Sequence, residues 1–215
     1  MDARADAVKQ KRTYDATRRR ERARQNRDKV IAAAERRFLR DGYGITTIAA
    51  IADDAGVSAD MVYKSFGGKP GLVRAICARA LEGEGPVPAE QRSDELQARE
   101  SDGRKIIEGW GALTLEVAPR VAPILLLIRA AAAGDPEVAV LLDEIDARRL
   151  HRMTDNARRL GRAGHLRPGI TVARAADVLW TYSSQELYEL LVLRRGWPLA
   201  RYGRFIADAM IDALL

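Results

Sequence analysis

Apolar residues between positions 46 and 69 keep helical time. Ile48, Ile51, Ala52 and Ala55 fall at i, i+3, i+4 and i+7, one face of an α-helix that Thr47 can cap. Gly56 follows where a C-terminal cap wants positive φ, and Ser58 can start a second short helix carrying Met61, Val62, Ser65 and Phe66. Upstream, Val30, Ile31, Ala34, Phe38 and Leu39 give residues 24–40 the same period, closed by Asp41-Gly42. Downstream, Gly67-Gly68 breaks the chain. Lys69-Pro70 restarts it, with Leu72, Val73, Ile76 and Leu81 as the buried side of a fourth helix. Two short helices joined by a glycine turn and backed by a third are the helix-turn-helix pattern, whose second helix enters the DNA major groove. Helix–glycine–helix corners also occur in small domains that bind no DNA, so the pattern by itself leaves both readings.

Residues 82–102 break the periodicity with two glycines, two prolines and mixed charge, and read as a linker or mobile loop. Beyond them every segment reads as helix. Residues 103–118 carry Ile106, Ile107, Trp110, Leu113, Leu115 and Val117, and Pro119 and Pro123 predict a break and restart before the apolar 124–133. A long helix is predicted over 136–161, another over 171–194 and a last one over 199–214. No alternating β-branched run appears. The prediction is an all-α protein of about nine helices: a basic arm (1–23), a helix-turn-helix domain (24–81), a linker (82–102) and a helical C-terminal domain (103–215). Leu179, Leu187, Leu190, Leu191 and Leu193 occupy more than one side of the 171–194 helix, and Tyr202, Phe205, Ile206, Ala209, Met210 and Leu214 stripe the last one. Such excess apolar surface suits either a second subunit or deep burial.

Charge sharpens this picture. Residues 1–80 hold 18 Lys/Arg against 10 Asp/Glu and the remainder 18 against 20, so the basic half is the half with the helix-turn-helix. Within residues 1–22 lie Lys9, Lys11, Arg12, Arg18, Arg19, Arg20 and Arg22. They form a solvated tail, an arm tracking phosphates, or an outward extension of the next helix. The single cysteine, Cys77, excludes an intramolecular disulfide and suits a reducing cytoplasm. The most apolar run, 121–134, contains Arg129 and is shorter than a bilayer span, so no membrane helix is expected. Two histidines, His151 and His165, fit no metal-ligand spacing, and neither a G-x-S-x-G nor a phosphate-binding glycine loop occurs. Neither a cofactor nor a catalytic site is expected.

On Gly42, Thr46, Thr47, Ile51, Ala52, Ala55, Gly56, Val57, Ser58, Tyr63, Phe66, Lys69 and Leu72, residues 24–81 resemble the DNA-binding domain of TetR-like transcriptional regulators, the tetracycline-repressor family. The rest of the chain matches only in being helical and of suitable length. The resemblance implies a homodimer held by a four-helix bundle of the last two helices, about 171–194 and 199–214. It also implies a C-terminal pocket whose small-molecule effector changes affinity for a DNA operator. Carried over, Thr47 and its helix N-terminus would meet a phosphate. Tyr63, Lys64 and Lys69 would contact the backbone, with Thr46 and Ser58 on the same DNA-facing side. Base readout would fall to Ala59, Asp60 and Met61. Here the chain departs from the family pattern, in which position 60 is often glycine and 61 often threonine or serine. Asp60 either accepts from a cytosine amino group or caps its own helix. Candidate pocket residues are Trp110, Arg129, Met153, Asn156, Trp180, Tyr182, Ser183 and Glu186, polar or aromatic positions within apolar helices. Against them stand plain core roles for the tryptophans and an acidic partner for Arg129. The expected function is a sequence-specific regulator, a repressor released by an apolar or amphipathic ligand. A ligand-independent dimeric DNA-binding protein is the alternative, with a helical enzyme behind it.

Overall fold

The computed structural model of the protein describes residues 3–83 and 87–215, with side chains from Thr17 onward. The chain forms two compact units, Met1–Ala75 and Ile76–Leu215. Their boundary falls inside a helix, where the sequence predicts it at 82–102.

The first unit contains α1 (Ala3–Asp41), α2 (Ile48–Ala55), α3 (Ala59–Phe66) and the start of α4 (Lys69–Glu82). From Ala3 the backbone of the expected arm belongs to α1; the side chains of residues 1–16 lie outside the described residues. Val30, Phe38, Ile51, Val62, Leu72 and Val73 are fully buried, so these members of the predicted apolar stripes face inward, whereas Leu39 of the α1 stripe is 46% exposed. Arg37 joins α1 to α2 by donating to both carboxylate oxygens of Asp54, each at 2.7 Å. These bonds hold the Asp54 carboxyl below its ordinary value. The contribution of the pair is therefore present above the ordinary aspartate range and lost only as pH falls through that lowered value.

The second unit contains α5 (Ala89–Arg99), α6 (Gly103–Ala132), α7 (Pro136–Arg162), α8 (Val172–Tyr182), α9 (Gln185–Tyr188, continuing as a π-helical segment Glu189–Arg194) and α10 (Leu199–Leu214). α6 packs on α10, α7 and α5, and α8 packs on α7 and α10. They enclose a core of Ile106, Ile107, Trp110, Leu160, Leu179, Tyr202 and Ile206, among others.

Three expectations are corrected. Most of the predicted linker is α5. Its inward side is made by Ala89, Ser93 and the half-buried Leu96, small or polar residues that no apolar periodicity reveals. Its outward charges are tied down: Arg92 donates to both oxygens of Glu116 at 2.9 and 2.8 Å, and Asp94 pairs with Arg152 and Arg159. Second, Pro119 and Pro123 do not interrupt α6, which runs continuously for 30 residues. Two prolines four apart lie on one side of a helix, so the missing ladder bonds fall together there, while Ala122, Ile124, Leu125 and Ile128 hold the rest by burial. By length and composition alone, the continuous α6 is long and apolar enough to cross a membrane; here its apolar side serves the core. Third, the predicted 171–194 helix breaks at Ser183-Ser184.

α6 and α10 approach at glycines. A Cβ on Gly111 would stand 2.8 Å from Ala207 Cβ and 3.0 Å from the Gly203 carbonyl oxygen, neither of which can swing aside. Gly111→Ala is therefore expected to destabilise the protein by roughly 1–3 kcal/mol, where a helix-interior glycine ordinarily gains about 0.5–1 kcal/mol from alanine. A shift of the urea midpoint to higher concentration would contradict this.

Candidate nucleic-acid interface

α2 and α3 are only eight residues each, and their ends are fixed by local chemistry. The Thr47 hydroxyl accepts from Ala50 N–H at 3.2 Å, and the Ser58 hydroxyl accepts from Met61 N–H at 3.2 Å. Gly56, at φ 68°, closes α2 in the left-handed region, and Val57 N–H donates back to Ala52 C=O. Val62 is the inward anchor of α3. Asp60, Tyr63, Lys64 and Ser65 point outward, with Tyr63 56% exposed, while Ala59 and Met61 are half-buried.

The polar residues of this face differ in how free they are. Asp60 pairs with Lys64 at 2.8 Å, both well exposed, and makes no cap; Ser58 holds that position. Thr47 stays at the surface. Thr46 is 4% exposed, and its hydroxyl donates to Gly42 C=O at 2.7 Å, closing the turn before α2. Lys69 has a structural duty that its spacing did not reveal. Its ammonium donates to Tyr43 C=O at 2.8 Å and lies 4.5 Å from the Tyr43 ring centroid. It thereby ties the first turn of α4 to the α1–α2 loop. Gly71 is a further residue that spacing left unmarked. A Cβ there would sit 1.7 Å from the Phe66 carbonyl oxygen, so only glycine lets α4 start this close to the end of α3.

The candidate pocket residues of the second unit separate into groups. Trp110 is buried in the core, with Met153 and Tyr182 packed against it. Buried Asn156 accepts from Gln97 of α5 at 3.1 Å. Arg129, Trp180, Ser183 and Glu186 gather around two residues of α7 not singled out from the sequence, Asp146 and Arg149. Arg129 pairs with Glu186 at 2.5 Å and Asp146 at 3.6 Å. Arg149 lies over the Trp180 ring at 4.5 Å and donates to Trp180 C=O and the Ser183 hydroxyl. Burial pulls the Arg149 guanidinium below its ordinary value, against the opposing pull of Asp146. Among the described residues the indole N–H groups of Trp110 and Trp180 have no partner. An open depression of about 580 Å³ beside Arg158, Arg162, Leu166 and Ile170 is lined by none of the eight candidates. No group of three or more metal-ligating residues occurs among the described residues.

Three helices, two hydroxyl caps around a left-handed glycine and an outward-facing second helix define a helix-turn-helix DNA-binding domain. Residues 30–76 match the family model described as bacterial regulatory proteins, tetR family. The chain is 32% identical over 101 residues to the probable HTH-type transcriptional regulator ArpR of Pseudomonas putida, covering 46% of this chain and 48% of ArpR. It thus spans about half the length of that curated relative. In fold it is similar to NalD, the secondary repressor of the MexAB-OprM multidrug efflux pump in Pseudomonas aeruginosa, at TM-score 0.67 and 20% identity, over 90% of this chain and 98% of NalD. It is similar also to the transcriptional regulator FadR of Bacillus subtilis in complex with stearoyl-CoA, at TM-score 0.65 and 16% identity, over 87% and 98% of the two chains. The chain is TetR-like, in sequence through its DNA-binding domain and in fold along most of its length.

Because Lys69 bridges two elements, Lys69→Met is expected to lower stability in the absence of DNA, by about 1.5–3 kcal/mol for a charged hydrogen bond. A lysine kept only for a phosphate would leave the melting temperature of the free protein unchanged, which is the outcome that would refute the bridging role.

Proposed function

We propose that this chain is a dimeric transcriptional regulator that binds an operator through α3 and is released by an apolar or amphipathic ligand held in its second unit. The carrying observation is the capped pair α2–α3, which fixes an exposed Asp60–Tyr63–Lys64 surface on a helix of groove-filling length. Thr47, Tyr63 and Lys64 are the backbone contacts, and Lys69 has a remaining N–H for a phosphate beyond its bridge to Tyr43. Ser58, Ala59, Asp60 and Met61 stand where base edges would lie. Two such helices reach successive major grooves only when about 34–36 Å apart, so a ligand that prefers another spacing lowers affinity by its differential binding.

Support for the dimer comes from Leu190, Leu193, Leu199 and Phe205, large apolar side chains exposed on α9 and α10. Of the predicted stripe on α10, Tyr202, Ile206, Met210 and Leu214 serve the core of their own chain, which leaves Phe205 and its neighbours for a partner. Support for a ligand comes from the unpartnered indole donors of Trp110 and Trp180, each costing about 1–3 kcal/mol unless an acceptor reaches it. That FadR carries stearoyl-CoA in its solved complex favours an amphipathic effector of this kind. A bacterial regulator of this description works in the cytoplasm.

Footprinting on the DNA flanking the chain's own gene tests the reading. Protection is expected, with Tyr63→Phe weakening binding to every sequence by a similar factor, as loss of a backbone contact should. If no duplex, specific or random, is bound at low salt, the proposal fails.

A further inference from the structure

Arg20, Arg24 and Arg27 stand at i, i+4 and i+7 and therefore share one side of α1. Arg27 marks which side this is. Its guanidinium lies 4.5 Å from the Phe66 ring centroid and donates to Ser65 C=O at 3.4 Å, at the last turn of α3. The row thus begins at the C-terminal end of the reading helix and runs outward along α1 for about 10 Å, at 1.5 Å per residue. All three residues are exposed. Between positions 17 and 27 the chain holds six arginines against one glutamate, Glu21, which spends its charge on Arg24 at 3.0 Å. That exposed pair is held too weakly to keep Arg24 from a stronger anion. Ala23 is the one apolar residue of the segment, so residues 17–27 offer no apolar side that could enter a lipid surface. Residues 22–25 are all exposed.

We propose that the Arg20–Arg24 row is a second DNA-contacting surface, one that grips the phosphates of a duplex just outside the groove read by α3. The inference rests on α3 being the reading helix. α3, about 12 Å long, matches the major groove, about 12 Å wide, and a basic helix leaving its end passes over the flanking phosphate ridge. The contact carries no sequence information; it raises affinity and steepens the dependence on salt.

Anisotropy titration of the full chain with a short random-sequence duplex, across a salt series, tests this without knowledge of the operator. Arg20→Gln with Arg24→Gln is expected to make the log–log salt slope shallower by about 2 per bound chain. The advantage of the unmodified chain should then shrink roughly tenfold between about 50 and about 200 mM salt. Arg20→Lys with Arg24→Lys should restore the slope, because a phosphate contact needs the charge and not the guanidinium. Arg158→Gln with Arg162→Gln, an equal loss of charge in the other unit, should leave it unaltered. An unchanged slope in the first variant, or an equal loss in the last, overturns the proposal. Failure of the unmodified chain to bind any duplex would instead overturn the reading of α3 as well.

Discussion

An eight-residue helix has no standing of its own in water, because the cost of nucleating it is not recovered in two turns. The use proposed for α3, as a reading element, therefore depends on its ends being held from outside. The Ser58 hydroxyl accepts from Met61 N–H in the first turn, Gly67 N–H closes on Tyr63 C=O at 2.7 Å, and the buried Val62 side chain anchors its middle. The neighbouring contacts form a frame around it. Arg27 holds the last turn from α1, Gly71 lets α4 begin against Phe66, and Lys69 carries that start back to the loop before α2. Each is a single atom-scale contact, and together they leave α3 only its outward side to vary.

The second unit solves a different problem, how to bury long helices that carry buried polar groups. Small residues let α6 and α10 touch backbone to side chain at Gly111, Gly203 and Ala207. Polar side chains take up the ends. Arg149 is buried at some cost and donates to the Trp180 carbonyl and the Ser183 hydroxyl, where the chain turns at Ser183-Ser184 and restarts as α9. The same arginine shares Asp146 with Arg129, which reaches Glu186. A helix break, a tryptophan face and three ion pairs thus converge on one place. A change at any of them would be felt along α9.

Legibility in the sequence followed the range of the interaction. Thr47, Gly56 and Ser58 act within three or four residues, so spacing revealed them. The all-α class and the inward stripes followed from periodicity in the same way. The break at Ser183 was invisible, and its partner Arg149 lies 34 residues earlier on α7. α5 was missed because Ala89 and Ser93 bury too little apolar surface to make a pattern. Pro119 and Pro123 misled because the rule that proline ends a helix is local, whereas the packing that carries α6 past them is not. Thr46 and Lys69 were found by position, and each also has a scaffold bond that position does not show. Residues beside a DNA face can serve the scaffold that presents it, and only the Gly42 and Tyr43 carbonyls reveal this.

The Asp60–Lys64 pair bears on specificity. Exposed as it is, it is worth no more than about 0.2–1 kcal/mol and will open if either partner finds something better. If α3 enters a groove as proposed, Lys64 finds it at any phosphate. Asp60 then faces a polyanion with its own partner withdrawn, and this arrangement is tolerable only where a base offers a donor, as the cytosine amino group does. On the proposed reading the carboxylate would discriminate chiefly by exclusion: it would penalise sites whose base edges show acceptors, while Ala59 and Met61 would add apolar contact without a preference of comparable size.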